Sequence, residues 1–261
     1  MNRTSLLGAP ATIALSTFTT ESSLTAEQSD DFTPLVYMNT VGRLLPYQFL
    51  IPSEPLEQGK RSPLVIFLHG AGERGTDNES QLVHGRKFLA SLAQKHGCYV
   101  VAPQCPNSAQ WVSKPWSAAS HVMPKEPSAP MSLLLELIQK VATEYPIDTN
   151  RIYVMGISMG GYGTWDLLQR CPNRFAGAIA ICGGGDETKA PLLTTTAIWV
   201  FHGDQDDAVP VARSRNMIAT IKEAGGSPNY TEYPGCGHAA WDLVFKDPDI
   251  AAWLMAQTRR P

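Results

Sequence analysis

The stretch Arg151-Ile152-Tyr153-Val154-Met155-Gly156-Ile157-Ser158-Met159-Gly160 decides how this chain reads. After Arg151, residues 152–155 are β-branched, aromatic or apolar, which predicts a strand over 151–155, and residues 160–170 favour a helix. Between them lies G-x-S-x-G. A strand that turns at once into a helix must hold the intervening serine in a strained conformation. Side-chain-free neighbours are then needed at Gly156 and Gly160, where the two backbones nearly touch. The turn lifts the Ser158 hydroxyl above the sheet edge and puts the Met159 N–H at a helix N-terminus, where it can face an oxyanion.

Working outward, Tyr37 to Ile51 reads as two antiparallel strands with Gly42 near the turn. Strands are then expected at 63–68, 98–102, 151–155, 175–181, 197–202 and 229–233. Helices are expected at 80–95, 130–144, 160–170, 210–224 and 239–257. Such alternation predicts an α/β fold: a mostly parallel sheet with helices on both faces. Ligands of these sheets bind at the carboxyl ends of strands.

A serine hydroxyl needs a base to take its proton and a carboxylate to orient that base. His238 lies in a glycine-rich loop, Tyr233-Pro234-Gly235-Cys236-Gly237-His238, after the strand at 229–233, and is the candidate base. Upstream, the apolar strand 197–202 runs into an acidic turn where Asp204, Asp206 and Asp207 compete for the acid's place. Asp204 suits bonding to turn amides, and Asp207 suits capping a helix that starts near Pro210. His69 and His202, each before a glycine at a strand end, read as loop-holding residues. His84, His96 and His121 read as surface residues.

With these residues in place, the chain resembles the α/β-hydrolase superfamily. Within it, the chain is similar to bacterial esterases related to phospholipase/carboxylesterases, predicted peptidases, feruloyl esterases and polyhydroxyalkanoate-depolymerase-type esterases. The matching stretches are Leu45–Pro52, Phe67–Gly75 (FLHGAGERG), Ala102–Pro106, Gly156–Trp165 (GISMGGYGTW), Phe201–Asp206 (FHGDQD) and Gly237-His238, so nearly everything from Asp31 onward is covered. The superfamily spacing G-x-x-D-x-x-V-P, here Gly203 to Pro210, implies Asp206 as the acid. The chain order Ser158, Asp206, His238 is also that of the superfamily. The resemblance implies a second oxyanion donor from the loop after strand 63–68, assigned to the Ala71 N–H beside that of Met159. It implies ester hydrolysis through an acyl-enzyme, with no metal and no organic cofactor. A peptidase or a thioester or acyl-transfer enzyme would use the same residues. A non-catalytic binding module on the same fold is the alternative from another class, disfavoured because nucleophile, acid and base are all present.

Composition sets the remaining bounds. At 261 residues, the chain fits one α/β domain, over residues 31–261. A net charge of −3 and a pI near 6.1 argue against nucleic acid or an anionic membrane as partner, and the resemblance implies a small-molecule ester as substrate. No run is apolar for long enough to span a bilayer. Residues 1–30 are rich in Ser and Thr and read as an N-terminal extension with a faint likeness to a signal peptide. The five cysteines, without metal spacing, lean toward a reducing compartment and so toward the cytoplasm over export. Residues 103–130 form a long Pro- and Trp-rich segment leaving a strand end, as binding loops do. Trp116 and Trp111 are candidate pocket walls, or else glue for the loop. Trp241 suits either pocket or core, and Trp165 suits core. Glu73 and Arg74 read as a brace for the oxyanion loop, with Arg74 a candidate contact for an anionic substrate. Acyl and alcohol preferences and oligomeric state are not encoded in any motif.

Overall fold

The computed structural model describes residues 32–52 and 59–259. The expectation for residues 1–30 lies outside the described residues. Eight strands form one sheet: β1 (Thr33–Met38), β2 (Leu44–Leu50), β3 (Ser62–Leu68), β4 (Tyr99–Pro103), β5 (Ile147–Ile157), β6 (Gly177–Ile181), β7 (Ala197–Gly203) and β8 (Asn229–Tyr233). Their spatial order is β1-β2-β4-β3-β5-β6-β7-β8. The β1–β2 and β2–β4 pairings are antiparallel and the other five are parallel.

Alternate residues of each central strand feed two core layers. On β3, Leu64, Ile66 and Leu68 join a cluster with Leu134 of α2 (Ala129–Glu144), Trp165 of α3 (Met159–Arg170) and Met217 of α4 (Ala212–Glu223). Val65 and Phe67 face the other layer, with Leu89 of α1 (Arg86–His96), Val244 of α5 (Trp241–Val244) and Ile250 of α6 (Pro248–Met255). Both faces of the sheet are thus covered, which is what fully apolar parallel strands require.

Four elements depart from the sequence reading. β1 opens at Thr33 rather than at Tyr37. The helix expected over 80–95 is a 3-10 turn at Ser80–Leu82 followed by α1, with the chain re-aimed at Gly85. A Cβ on Gly85 would lie 2.9 Å from the Phe67 ring. The helix expected over 239–257 is split into α5 and α6. Pro248 has no N–H to continue the first, and the Asp247 carboxylate accepts from the Asp249 amide (2.9 Å) to start the second. β5 begins at Ile147 rather than 151, its pairing with β3 shifting register between Ser62 and Leu64.

One topological fact positions the site. β3 connects outward to β4, and the chain then crosses to β5 on the other side of β3. The carboxyl ends of β3 and β5 therefore border a crevice that no crossover helix fills.

Candidate active site

β5 ends in that crevice. Ser158 follows it with φ 53° and ψ −117°, in left-handed territory that costs a non-glycine residue about 1–3 kcal/mol. The turn is held on both sides: the Ser158 N–H donates to the Ile181 carbonyl of β6 (2.8 Å), and the Ser158 carbonyl accepts from the Tyr162 amide (3.1 Å). The flanking glycines are steric necessities. A Cβ on Gly156 would lie 2.2 Å from the Gly160 carbonyl oxygen, and one on Gly160 would lie 1.9 Å from that of Leu68.

The loops after β7 and β8 bring two more side chains to this point. His238 Nε2 lies 2.8 Å from Ser158 Oγ, and His238 Nδ1 lies 2.7 Å from Asp206 Oδ2. The Asp206 side chain has no exposed surface, and its other oxygen accepts from the amides of Ala208 (3.0 Å) and Val209 (2.8 Å). Burial by itself would raise this carboxyl. Hydrogen bonds from His202, His238 and the Val209 amide together outweigh burial and hold it well below the ordinary carboxylate range. Asp204 instead accepts from the Gly235 amide (2.7 Å), bracing the loop that carries His238. Asp207 is exposed and caps nothing: α4 starts at Ala212, too far along the chain for its side chain to reach, and has no side-chain cap.

His202 holds more than a loop. Fully buried, it places Nε2 3.1 Å from Asp206 Oδ2 and 3.0 Å from the Val209 carbonyl, with Nδ1 2.7 Å from Ser214 Oγ. Two imidazoles therefore converge on one carboxylate oxygen. The sequence signal was the four-residue spacing from strand-end histidine to turn aspartate, which has meaning only once the turn is known.

Residues 56–248 match the model of the phospholipase/carboxylesterase family. The chain belongs to that family. Among curated relatives, a poly(3-hydroxybutyrate) depolymerase from Ralstonia pickettii is 30% identical over 159 residues, covering 60% of this chain but only 31% of the relative. Acyl-protein thioesterase 1 from Neurospora crassa is 28% identical over 204 residues, covering 69% of this chain and 82% of the relative. Among solved structures, a thermostable esterase superposes with a TM-score of 0.81 at 38% identity, over 88% of this chain and 64% of that one. This chain thus spans under a third of the Ralstonia enzyme and just under two thirds of the thermostable esterase. Among the described residues, no helix is long and apolar enough to cross a membrane.

In this family member, the crevice is a cleft of about 240 Å³ around Ser158 and His238, walled by Trp116, Trp241, Ile157 and Val209 and floored by the Gly70–Glu73 loop. Larger surface grooves lie beside His84 and beside Lys114, and neither includes Ser158. Ala71 opens a 3-10 turn and Met159 opens α3, so neither N–H has a carbonyl one turn behind it to bond. The loop sits against Ser158: a Cβ on Gly70 would lie 3.6 Å from Ser158 Cβ.

Three sequence readings are corrected by packing. Trp111 does not wall the cleft. It is fully buried, donating from Nε1 to the His69 carbonyl (3.3 Å), because the start of the long loop folds inward against the end of β3. Arg74 does not face the cleft either. Its guanidinium donates to the carbonyls of Ala71 (2.9 Å), Asn107 (3.3 Å) and Ala109 (3.4 Å), bracing the loop by peptide contacts rather than through Glu73. His121, read as a surface residue, is half-buried against Arg213 (2.7 Å), and burial first, then that guanidinium, lowers its pKa to about 4. His84, read as a surface residue, is exposed, and there it meets Glu73 (3.3 Å) and lies beside Trp241.

Trp116 and Trp241 do reach the cleft. Trp241 presents itself edge-to-face to the His238 ring at 5.2 Å. The loop carrying Trp116 is clipped down along its length. Tyr162 donates to the Trp116 carbonyl (2.7 Å), Arg213 to that of Ala119 (2.9 Å), and Arg170 to that of Pro124 (2.8 Å), while Asp186 accepts from the Met123 amide (2.8 Å). Trp165 is core.

Cys182 lies behind His238, donating from Sγ to its carbonyl (3.3 Å), and burial pushes its thiol up. Cys182, His202 and Asp206 cluster closely enough to suggest a metal set. A protonated thiol and a carboxylate already shared by two imidazoles are a poor donor set, and the cluster reads as support for His238. All five cysteines are free thiols.

Proposed function

We propose that this protein is a serine hydrolase that cleaves carboxylic esters through an acyl-enzyme. The observation that carries the reading is the unbroken chain from Ser158 Oγ to His238 (2.8 Å) to a buried, ionised Asp206 (2.7 Å), at the mouth of a cleft. Ser158 Oγ attacks the ester carbonyl as His238 Nε2 takes its proton. Asp206 fixes the tautomer of His238 and offsets the imidazolium charge. The N–H groups of Ala71 and Met159 receive the oxyanion, the latter aided by the positive end of α3; each such donor is worth about 3 kcal/mol in the transition state. His238 then protonates the leaving alcohol. In the second half, it deprotonates water, which attacks the acyl carbonyl and returns Ser158 to its starting state.

The family supports an ester-type bond. The Neurospora relative's name supports a thioester as the second reading, since that relative is matched over 82% of its length. The cleft volume of about 240 Å³ lies below the roughly 300–1,000 Å³ of drug-sized sites and favours short acyl groups.

The test is hydrolysis of p-nitrophenyl esters from acetate to laurate, plus methyl ferulate and acetyl thioesters, by wild type and Ser158→Ala. Short-chain turnover that falls by about 10⁶ in Ser158→Ala is expected. A folded Ser158→Ala protein with wild-type rates would overturn the mechanism. Strong preference for thioesters would move the substrate to the second reading.

A further inference from the structure

One ionisable side chain on the cleft has no part in the proposed chemistry. Glu73, at the end of the 3-10 turn that Ala71 opens, lines the same cleft as Ser158. Its position is close: the point where a Gly70 Cβ would stand is 2.8 Å from Glu73 Oε2 and 3.6 Å from Ser158 Cβ. The carboxylate and the nucleophile are therefore neighbours across a single glycine. The Glu73 side chain is 14% exposed. Oε1 meets His84 Nε2 at 3.3 Å, a pairing that carries opposite charges only when His84 is protonated, and Oε2 has no donor among the described residues. The adjacent Arg74 guanidinium makes its hydrogen bonds to three carbonyls and none to Glu73.

A carboxylate here is costly to a simple esterase. The transition state puts negative charge on the substrate oxygen at the Ala71 amide, two residues away, and a like charge at that range opposes it. The surroundings suit a counter-charge. Trp116 and Trp241 wall the same cleft, and an indole face attracts a cation most strongly of the aromatic side chains. Two tryptophans, a carboxylate with an open oxygen and a small cleft form a site for an ammonium group.

Building on the ester-hydrolase reading, we propose that Glu73, with Trp116 and Trp241, selects esters that carry a cationic ammonium group near the scissile bond and disfavours anionic ones. The bound ammonium sits between the carboxylate and the indoles, and its charge offsets that of Glu73 as the oxyanion forms.

The test compares shape-matched pairs that differ in one charge. On the alcohol side, these are acetylcholine and 3,3-dimethylbutyl acetate. On the acyl side, they are methyl 4-(trimethylammonio)butanoate and methyl 5,5-dimethylhexanoate, with monomethyl glutarate as the anion. The readout is the cationic-to-neutral ratio of kcat/KM in wild type and in Glu73→Gln, so that intrinsic ester reactivity cancels. In at least one pair, the ratio is expected to fall about tenfold in Glu73→Gln, the size of one part-shielded charge contact, while the anionic ester gains. Trp116→Leu is expected to lower the same ratio. A measurement on wild type alone stands if the variants fail to fold: about 0.5 M salt should depress the cationic-to-neutral ratio by screening. A ratio unmoved by both Glu73→Gln and salt, or a wild type that prefers the neutral partner in both pairs, overturns this proposal while leaving the esterase intact. Failure of the folded protein to hydrolyse any ester overturns both.

Discussion

Replacing Asp206 by Asn isolates the orientation of the base from every other feature of the site. The wild-type carboxylate is fully buried and takes four donors: two amides on Oδ1, and His238 Nδ1 and His202 Nε2 on Oδ2. Asparagine can keep its oxygen on the two amides, but its NH₂ then faces two imidazole N–H groups. For His238 to accept from that NH₂, its proton must move to Nε2. An Nε2–H facing Ser158 cannot take the serine proton. A base in the wrong tautomer costs about 10⁴ in kcat, or about 5 kcal/mol of transition-state stabilisation. Reversing the amide instead points the NH₂ at the Ala208 and Val209 amides and forfeits charge-assisted bonds worth about 1.5–3 kcal/mol each. Stability should therefore fall as well. The controls are Asp204→Asn, which retains an oxygen for the Gly235 amide, and Asp207→Asn at an exposed position. Both should keep kcat within about twofold, as surface changes do. The assay is kcat on p-nitrophenyl butyrate with active-site titration, alongside thermal unfolding by circular dichroism. A folded Asp206→Asn enzyme retaining more than about a tenth of wild-type kcat would refute the orientation argument. A loss in Asp204→Asn matching that in Asp206→Asn would transfer the acid's role.

Two further outcomes are expected. His69 is fully buried, and burial lowers its pKa from 6.5 to about 4 despite its hydrogen bond to the Gly70 carbonyl. The unfolded chain takes up that proton first, so His69 should add a loss of stability that grows from pH 6.5 down to about 4, reaching about 3 kcal/mol. Urea midpoints across this range should show a shallower decline in His69→Gln, and an unchanged slope would show that His69 titrates as it does in the unfolded chain. Gly160→Ala puts a methyl group 1.9 Å from a β3 backbone oxygen, which no side-chain rotation relieves, so α3 must withdraw from the nucleophile. A displacement near 1 Å should cost about 100-fold in kcat/KM, whereas Gly72→Ala, with open space at its Cβ, should fold normally. Equal thermal midpoints for Gly160→Ala and wild type would refute the steric reading.

The layered α/β architecture and the elbow were legible in local pattern alone. Strand 151–155 running into a helix through Gly156, Ser158 and Gly160 is local physics: chain reversal over few residues leaves no room for side chains at the two glycines. The alternation of apolar runs with helical segments likewise required a parallel sheet covered on both faces. Breaks that depend on neighbours were not legible. Gly85 re-aims the chain because of the Phe67 ring, and the split before α6 depends on Asp247 turning its carboxylate onto its own helix. Tertiary structure alone decided which polar groups meet. The loops of β7 and β8 converge only because those strands are neighbours, and that adjacency puts His202 and His238 on the same Asp206 oxygen. It also sent Trp111 into the core and Trp116 to the cleft, although the two lie five residues apart in one irregular loop. A hydrophobic or charged residue in such a segment carries no periodicity, so its destination is set by what packs against it rather than by its own pattern. For the same reason, Glu73, which read as part of a brace with Arg74, stands with an open carboxylate oxygen beside Ser158.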